Sequence, residues 1–168
     1  MTITLHTLTV PVFVRAFANL SAILDKGRSF ADAEGIGHEV LLTARLWPDM
    51  LPLTGQIQRA SDTAKGAVVR LTGIANVAFE DNEVSFADLQ GRIARTVDFV
   101  KAVPAEAFVG KEAAEIVLPG RGPERRVSGQ DYATAFVLPN FFFHVTTAYA
   151  LLRQHGVPVG KLDYLGRD

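Results

Sequence analysis

The 168-residue chain contains no cysteine, which excludes disulfides, thiolate catalysis and cysteine-ligated zinc or iron–sulfur centres. Neither sign of charge is in excess: 17 Lys and Arg stand against 18 Asp and Glu, a formal net charge of −1. Such a chain has no global field to attract nucleic acid or an anionic membrane. Long hydrophobic runs are missing too. Charges and glycines cut each apolar stretch before it reaches the roughly 18 uninterrupted residues that mark a membrane span. The opening Met1-Thr-Ile-Thr-Leu-His6 lacks the basic flank and apolar core of a signal peptide. The expectation is a soluble, cytoplasmic protein with neither nucleic acid nor membrane as partner. Gly-x-Gly-x-x-Gly, Walker, Gly-x-Ser-x-Gly and His-Glu-x-x-His signatures are also absent, so hydride transfer, nucleotide hydrolysis and serine esterase chemistry find no support.

What is present is core-forming material. Hydrophobic residues make up 48% of the chain, and a domain of this length buries roughly 70% of its unfolded surface. No linker, repeat or low-complexity tract divides it, so residues 1–168 read as one domain. Val10, Phe13, Val14, Phe17, Leu20 and Leu24 recur at helical spacing, with Gly27 as a stop and residues 27–39 as a loop. Pro11 fits near a first turn. A second helix is expected from about Leu41 or Pro48 to Leu71, carrying Leu53, Ile57, Ala60, Ala64, Ala67 and Val68 and ended by Gly73. Ser85-Phe-Ala-Asp88 has the form of a capping box. A third helix follows through Leu89, Ile93, Val97 and Val100 and stops before Pro104.

Helical periodicity then breaks. Residues 115–118 and 124–127 read as short strands around Pro119-Gly-Arg-Gly-Pro123. A fourth helix runs from about Ser128 to His155, with Gly156 and Pro158 beyond it. The fold class is all-α: a four-helix bundle with a small β-hairpin between helices three and four.

The segment Leu138-Pro-Asn-Phe-Phe-Phe-His-Val-Thr-Thr-Ala-Tyr149 carries the most chemistry. A helical proline removes a backbone hydrogen bond at a cost of roughly 3 kcal/mol. Beyond it, Asn140 and His144 stand at i and i+4, where two side chains share a face and can converge on one ligand or ion.

This segment, together with Val10-Pro-Val-Phe-Val14, Leu20-Ser-Ala-Ile-Leu-Asp-Lys26, Ala44-Arg-Leu-Trp-Pro-Asp-Met50, Gln56-Ile-Gln58 and the tail Gly156-Val-Pro-Val-Gly-Lys-Leu-Asp-Tyr-Leu-Gly166, resembles an uncharacterised bacterial family within the DinB-like superfamily of four-helix bundles. The resemblance covers nearly the whole chain and implies a long crossover joining the first two helices to the last two. Many members of that superfamily hold a divalent metal on three histidines, one near the start of helix two and a His-x-x-x-His pair on helix four. His144 precedes Gly156 by twelve residues, as the second histidine of that pair does. The first then falls on Asn140 and the helix-two ligand near Asp49, both departures from histidine. The metal set implied by the resemblance is therefore His144, Asn140 and Asp49, for nickel, zinc or manganese. Oxygen donors favour harder ions than an imidazole triad does.

Plainer roles compete at each position. His144 also reads as a buried histidine bonded to a neighbouring side chain, and Asn140 as a partner for backbone freed by Pro139. Asp49 also reads as a helix-start acid. Phe141, Phe142 and Phe143 read as packing rather than a ligand cage, and Gln56, Gln58 and Asp62 as a polar helix face. His6 and His38 fall in a terminal segment and a loop without a ligand-spaced partner. His155 lies about 16 Å along the helix from His144 and reads as a C-terminal cap. Arg121, Arg125 and Arg126 read as a solvated turn with Glu115 and Glu124.

Two functions follow. One is a polar interhelical pocket around Asp49, Asn140 and His144, with a divalent ion acting as Lewis acid in thiol or group transfer. No general base is identifiable for it. The other is a non-catalytic module that has lost the metal and binds a small molecule or a second copy of itself. A homodimer through helix faces is expected under either.

Overall fold

The computed structural model describes residues 3–118 and 124–166. Four long helices carry the fold: α1 (Leu5–Glu34), α3 (Leu53–Thr72), α4 (Phe86–Lys101) and α6 (Leu138–Gln154). The shorter elements are α2 (His38–Leu42), a 3-10 turn (Ala105–Phe108), strands β1 (Glu115–Leu118) and β2 (Arg125–Ser128), α5 (Gly129–Asp131) and the C-terminal α7 (Lys161–Leu165). A π-helical segment, Tyr132–Val137, joins α5 to α6. Helix α1 packs between α4 and α6, and α3 closes the ring against the same two helices. Residues 73–85 form the crossover from α3 to α4.

The first helix is longer than its sequence pattern predicts. It starts at a Thr4–Thr7 capping box and passes through both Pro11 and Gly27 to Glu34, where Gly35 at φ 65° ends it. Gly27 is therefore not a stop. A Cβ placed there would stand 3.1 Å from Leu152 Cδ2 and 3.6 Å from the Phe86 ring, so glycine permits close helix approach. Residues 27–39 are correspondingly not a loop, and His38 begins α2. The expected second helix is two elements: α2 ends at Leu42, an irregular stretch holds Pro48, and α3 starts at Leu53 after Pro52. Two closely spaced prolines interrupt helical hydrogen bonding there.

Elsewhere the local signals translate directly. Gly73 ends α3 at φ 81°. The Ser85 hydroxyl accepts from the Asp88 amide at 3.1 Å, and Asp88 accepts from the Val84 amide at 3.1 Å. Strands β1 and β2 pair antiparallel with Ile116 opposite Val127. The predicted turn at 119–123, with Arg121, lies outside the described residues.

The π segment was not foreseen, and Pro139 gives it a physical cause. The Leu138 amide bonds the Ala133 carbonyl, five residues back. The next amide in line would be that of residue 139, and proline has none. The helix widens just before the residue that cannot continue its ladder.

Phe13, Phe17 and Phe141 are fully buried, and the Phe141 ring centroid lies 4.8 Å from Phe13 and 5.2 Å from Phe17. Phe142 is half-buried and Phe143 exposed. Helix α7 closes over α1, where Asn19 Nδ2 donates to the Tyr164 carbonyl at 3.0 Å and Lys26 pairs with Asp163 at 2.7 Å. Helix α1 and the run Gly129–Gln154 are long and apolar enough, by length and composition, to cross a membrane. Both bury one flank in the bundle, through Phe13 and Phe17 and through Phe141 and Leu151, as core helices do.

Candidate functional site

A cleft of about 220 Å³ opens between α3 and the continuous π–α6 helix, lined by Arg59, Asp62, Thr63, Arg70, Tyr132, Phe136, Asn140 and His144. Its two walls are sequence stripes. Gln56, Arg59, Thr63, Gly66 and Arg70 follow helical spacing on α3. Opposite stand Tyr132, Phe136, Asn140 and His144, each four residues from the last. In a regular α-helix a four-residue step advances about 400°, so three steps drift roughly 120° around the axis. The wider π turn at Tyr132–Val137 offsets that drift and keeps all four residues on the cleft.

Polar rungs cross the cleft. His144 Nδ1 lies 2.8 Å from Gln56 Oε1, and Asn140 Nδ2 donates to Thr63 Oγ1 at 2.8 Å. The Tyr132 hydroxyl donates to the Gly66 carbonyl at 3.3 Å and accepts from Arg70 Nη1 at 3.4 Å. Asn140 thus reaches across to α3 rather than to backbone freed by Pro139. Gln56 is 1% exposed, a buried amide rather than part of a solvated face.

Gln56 also fixes the histidine tautomer. Its Nε2 donates to the Leu51 carbonyl at 3.0 Å, and a carbonyl can only accept. Oε1 is therefore the atom facing His144, Nδ1 carries the hydrogen, and Nε2 keeps its lone pair in the neutral ring. Burial, and secondarily the Arg59 charge, hold the His144 pKa below its ordinary 6.5. The half-buried ring is thus a neutral acceptor at pH 7 and can take a proton. This nitrogen is a proton-accepting side-chain atom of the cleft that the sequence did not single out.

Asp62 is held through both oxygens, Oδ1 by Arg92 Nη2 at 3.0 Å and Oδ2 by Arg59 Nη1 at 3.3 Å. Arg59 also bonds Asp81. Arg92, fully buried, binds Asp81 and Glu83 at 2.9 and 3.0 Å and the Glu80 carbonyl at 3.1 Å. It anchors the crossover behind the cleft. Lys65 is buried beside it, with Nζ 3.7 Å from the Phe79 ring centroid, and burial lowers its pKa.

The structure brings Asn140 and His144 together on one cleft and leaves Asp49 outside it. Asp49 is exposed in the irregular stretch before α3. That helix starts at Leu53 with no side-chain cap, so Asp49 does not serve as its N-terminal cap. Among the described residues, no three His, Asp or Glu side chains are grouped as a metal would require. The donor set here fits a resident divalent ion poorly. One imidazole and one amide face the cleft, the nearby carboxylate is bound by two arginines, and Arg59 adds positive charge.

The other histidines are structural. His6 meets the Phe108 ring edge-on at 5.4 Å, from the first turn of α1 rather than a loose terminus. His38 Nε2 bonds Asp32 Oδ1 at 2.8 Å, and its ring packs on Phe86. His155 Nδ1 lies 2.8 Å from the Leu151 carbonyl, a C-terminal cap as predicted. Arg126 pairs with Glu115 and Glu124.

A family model described as "Domain of unknown function (DUF1993)" matches residues 5–165. The chain belongs to the DUF1993 family. It is also similar to a solved DinB family member from Shewanella denitrificans, with a TM-score of 0.92 and 37% identity over 98% of this chain and 93% of that one. The bundle is therefore DinB-like, as the resemblance implied. No curated protein matches the chain. Within this DUF1993 domain, Thr63, Arg70 and Tyr132 were not singled out from the sequence, and Gln56 was read there only as part of a polar helix face. Their signal was the pair of stripes that face each other once α3 and α6 pack.

Proposed function

We propose that this DinB-like protein is a soluble, cytoplasmic small-molecule-binding module whose ligand occupies the cleft between α3 and α6. The observation that carries this reading is the His144–Gln56–Leu51 relay. It presents a neutral imidazole with one uncommitted nitrogen on a cleft already lined by Asn140, Tyr132 and Arg70. Pockets of this type fix a ligand by a few placed polar groups beside an apolar wall, here Phe136.

A resident nickel, zinc or manganese ion on Asp49, Asn140 and His144, with thiol or group transfer, is the weaker reading. Asp49 does not line the cleft that the other two share, and Arg59 beside His144 opposes a cation. If the cleft supports a reaction, His144 Nε2 is its proton acceptor.

Metal content of tag-free protein tests the choice, comparing wild type with His144→Ala. We expect substoichiometric metal in both, and a fragment screen by NMR whose hits shift His144, Asn140 and Tyr132 together. Stoichiometric metal in wild type, lost in His144→Ala, would overturn the proposal. So would a screen whose hits never touch these residues.

A further inference from the structure

We propose that the cleft takes a small monocarboxylate bearing a neutral hydroxyl, with its carboxylate on Arg70 and its hydroxyl donating to His144 Nε2. This rests on the reading of the cleft as a ligand site and names the class of ligand.

The argument is an account of which hydrogen-bonding functions remain unspent. The Thr63 hydroxyl donates to the Arg59 carbonyl at 2.7 Å and accepts from Asn140 at 2.8 Å. The Tyr132 hydroxyl donates to Gly66 and accepts from Arg70. Both hydroxyls are thus occupied. Arg70 uses only Nη1, in two long contacts of 3.4 Å to the Gly66 carbonyl and Tyr132, so most of its five N–H donors are open. At the other end His144 Nε2 offers only a lone pair. The cleft donates at one end and accepts at the other.

Charge narrows the class. Arg59 is paired with Asp62 and Asp81, and Asp62 with Arg59 and Arg92. Arg70 is the cation of the cleft without a carboxylate partner among the described residues. One unmatched guanidinium calls for a monoanion, and its planar fork matches a carboxylate. A phosphate dianion would leave one charge uncompensated. An ammonium at the His144 end would face Arg59, whereas a hydroxyl carries no charge and supplies the donor that a neutral imidazole needs.

Shape sets the spacer. Gly66 leaves the room in which the Arg70 guanidinium lies, since a Cβ there would stand 2.7 Å from Nη1. The anion end therefore sits near Gly66 and the acceptor end near Arg59. These positions are seven residues apart, about 10 Å along the helix. Between them Phe136, 44% exposed and stacked on Tyr132 at 5.9 Å, offers an apolar wall for a short carbon chain.

The experiment is an NMR titration of labelled wild type with ω-hydroxy acids from 4-hydroxybutanoate to 8-hydroxyoctanoate. Hexanoate, hexane-1,6-diol and inorganic phosphate serve as comparators. We expect saturable shifts at the His144 ring and the Arg70 Nε–H. The best hydroxy acid should bind about tenfold tighter than hexanoate or the diol, the value of one well-placed hydrogen bond. The exposed Arg70→Gln substitution should erase the preference for acid over diol while leaving diol binding in place. Equal binding of acid and diol, tighter binding of phosphate, or an unchanged preference in Arg70→Gln would overturn the ligand class and leave the binding cleft standing. No saturable shift with any acid, diol or phosphate would overturn the inference and count against the cleft as well.

Discussion

His144 Nδ1 and Gln56 Oε1 lie 2.8 Å apart across the α3–α6 interface, and the Leu51 carbonyl behind Gln56 decides which of the two donates. A glutamine whose amide nitrogen is committed to a carbonyl can offer only oxygen to the ring. The histidine is held in one tautomer, with its free nitrogen on the cleft.

Gln56→Glu tests that relay. A carboxylate at the same place would bond the doubly protonated ring and favour its charge. The His144 titration, followed by the ring Cε1 proton, should move from below the ordinary histidine range to above it. An unmoved midpoint would mean that Gln56 does not set the protonation of the ring.

The lowered His144 pKa also dictates a sign for stability. The unfolded ring titrates near 6.5 and the folded ring lower, because burial and then Arg59 disfavour the cation. Between those two values the unfolded chain binds more protons. Stability should therefore fall as pH falls through 6.5, flatten below the folded pKa, and be unaffected by this group above 6.5. Denaturant unfolding of wild type and His144→Gln at pH 7.5, 6.5 and 5.5 reads it, with wild type losing more on acidification. Parallel losses would refute the assignment.

What the sequence made legible was local. Gly73, the Ser85–Asp88 cap and the apolar stripes translate into α3 and α4 without change, since each depends on neighbours in the chain. The pairing of His144 with Gln56 was not legible. The two are 88 residues apart, and only packing of α3 on α6 brings them together. Gly27 was misread for the same reason. A glycine after a helical stripe has the local form of a stop, while the Leu152 side chain it accommodates comes from the other end of the chain.

Gly27→Val separates the two roles of that glycine. A helix-stop glycine sits at positive φ, where any Cβ strains the backbone. Gly27 lies inside α1 at ordinary helical φ, where a side chain would by itself add helix propensity. Because Leu152 Cδ2 and the Phe86 ring stand close by, valine should instead cost about 1–3 kcal/mol through overpacking. Thermal and urea unfolding measure it, and a variant as stable as wild type would remove close packing as the reason for glycine.

Arg92 is the remaining structural commitment, and it links the crossover to the cleft. Its guanidinium is fully buried, Glu83 beside it is 2% exposed at the side chain, and it also holds Asp62. One of its own nitrogens, Nε, is buried without a hydrogen-bond partner, so the network is not fully satisfied. Removing the arginine should still be costly. Among the described residues, the buried Glu83 carboxylate then keeps only Gln58 at 2.9 Å and a distant Arg95 at 3.8 Å, and Asp62 keeps only Arg59. Arg92→Met should destabilise by about 3–5 kcal/mol, the range for breaking a buried pair from one side. The double variant Arg92→Met, Glu83→Gln should recover part of that loss, since the buried carboxylate charge is then gone. Faster amide exchange across residues 74–84 should accompany the single variant. A loss below about 1 kcal/mol, the ordinary size for an exposed pair, would show that the crossover is held by something other than this ion cluster.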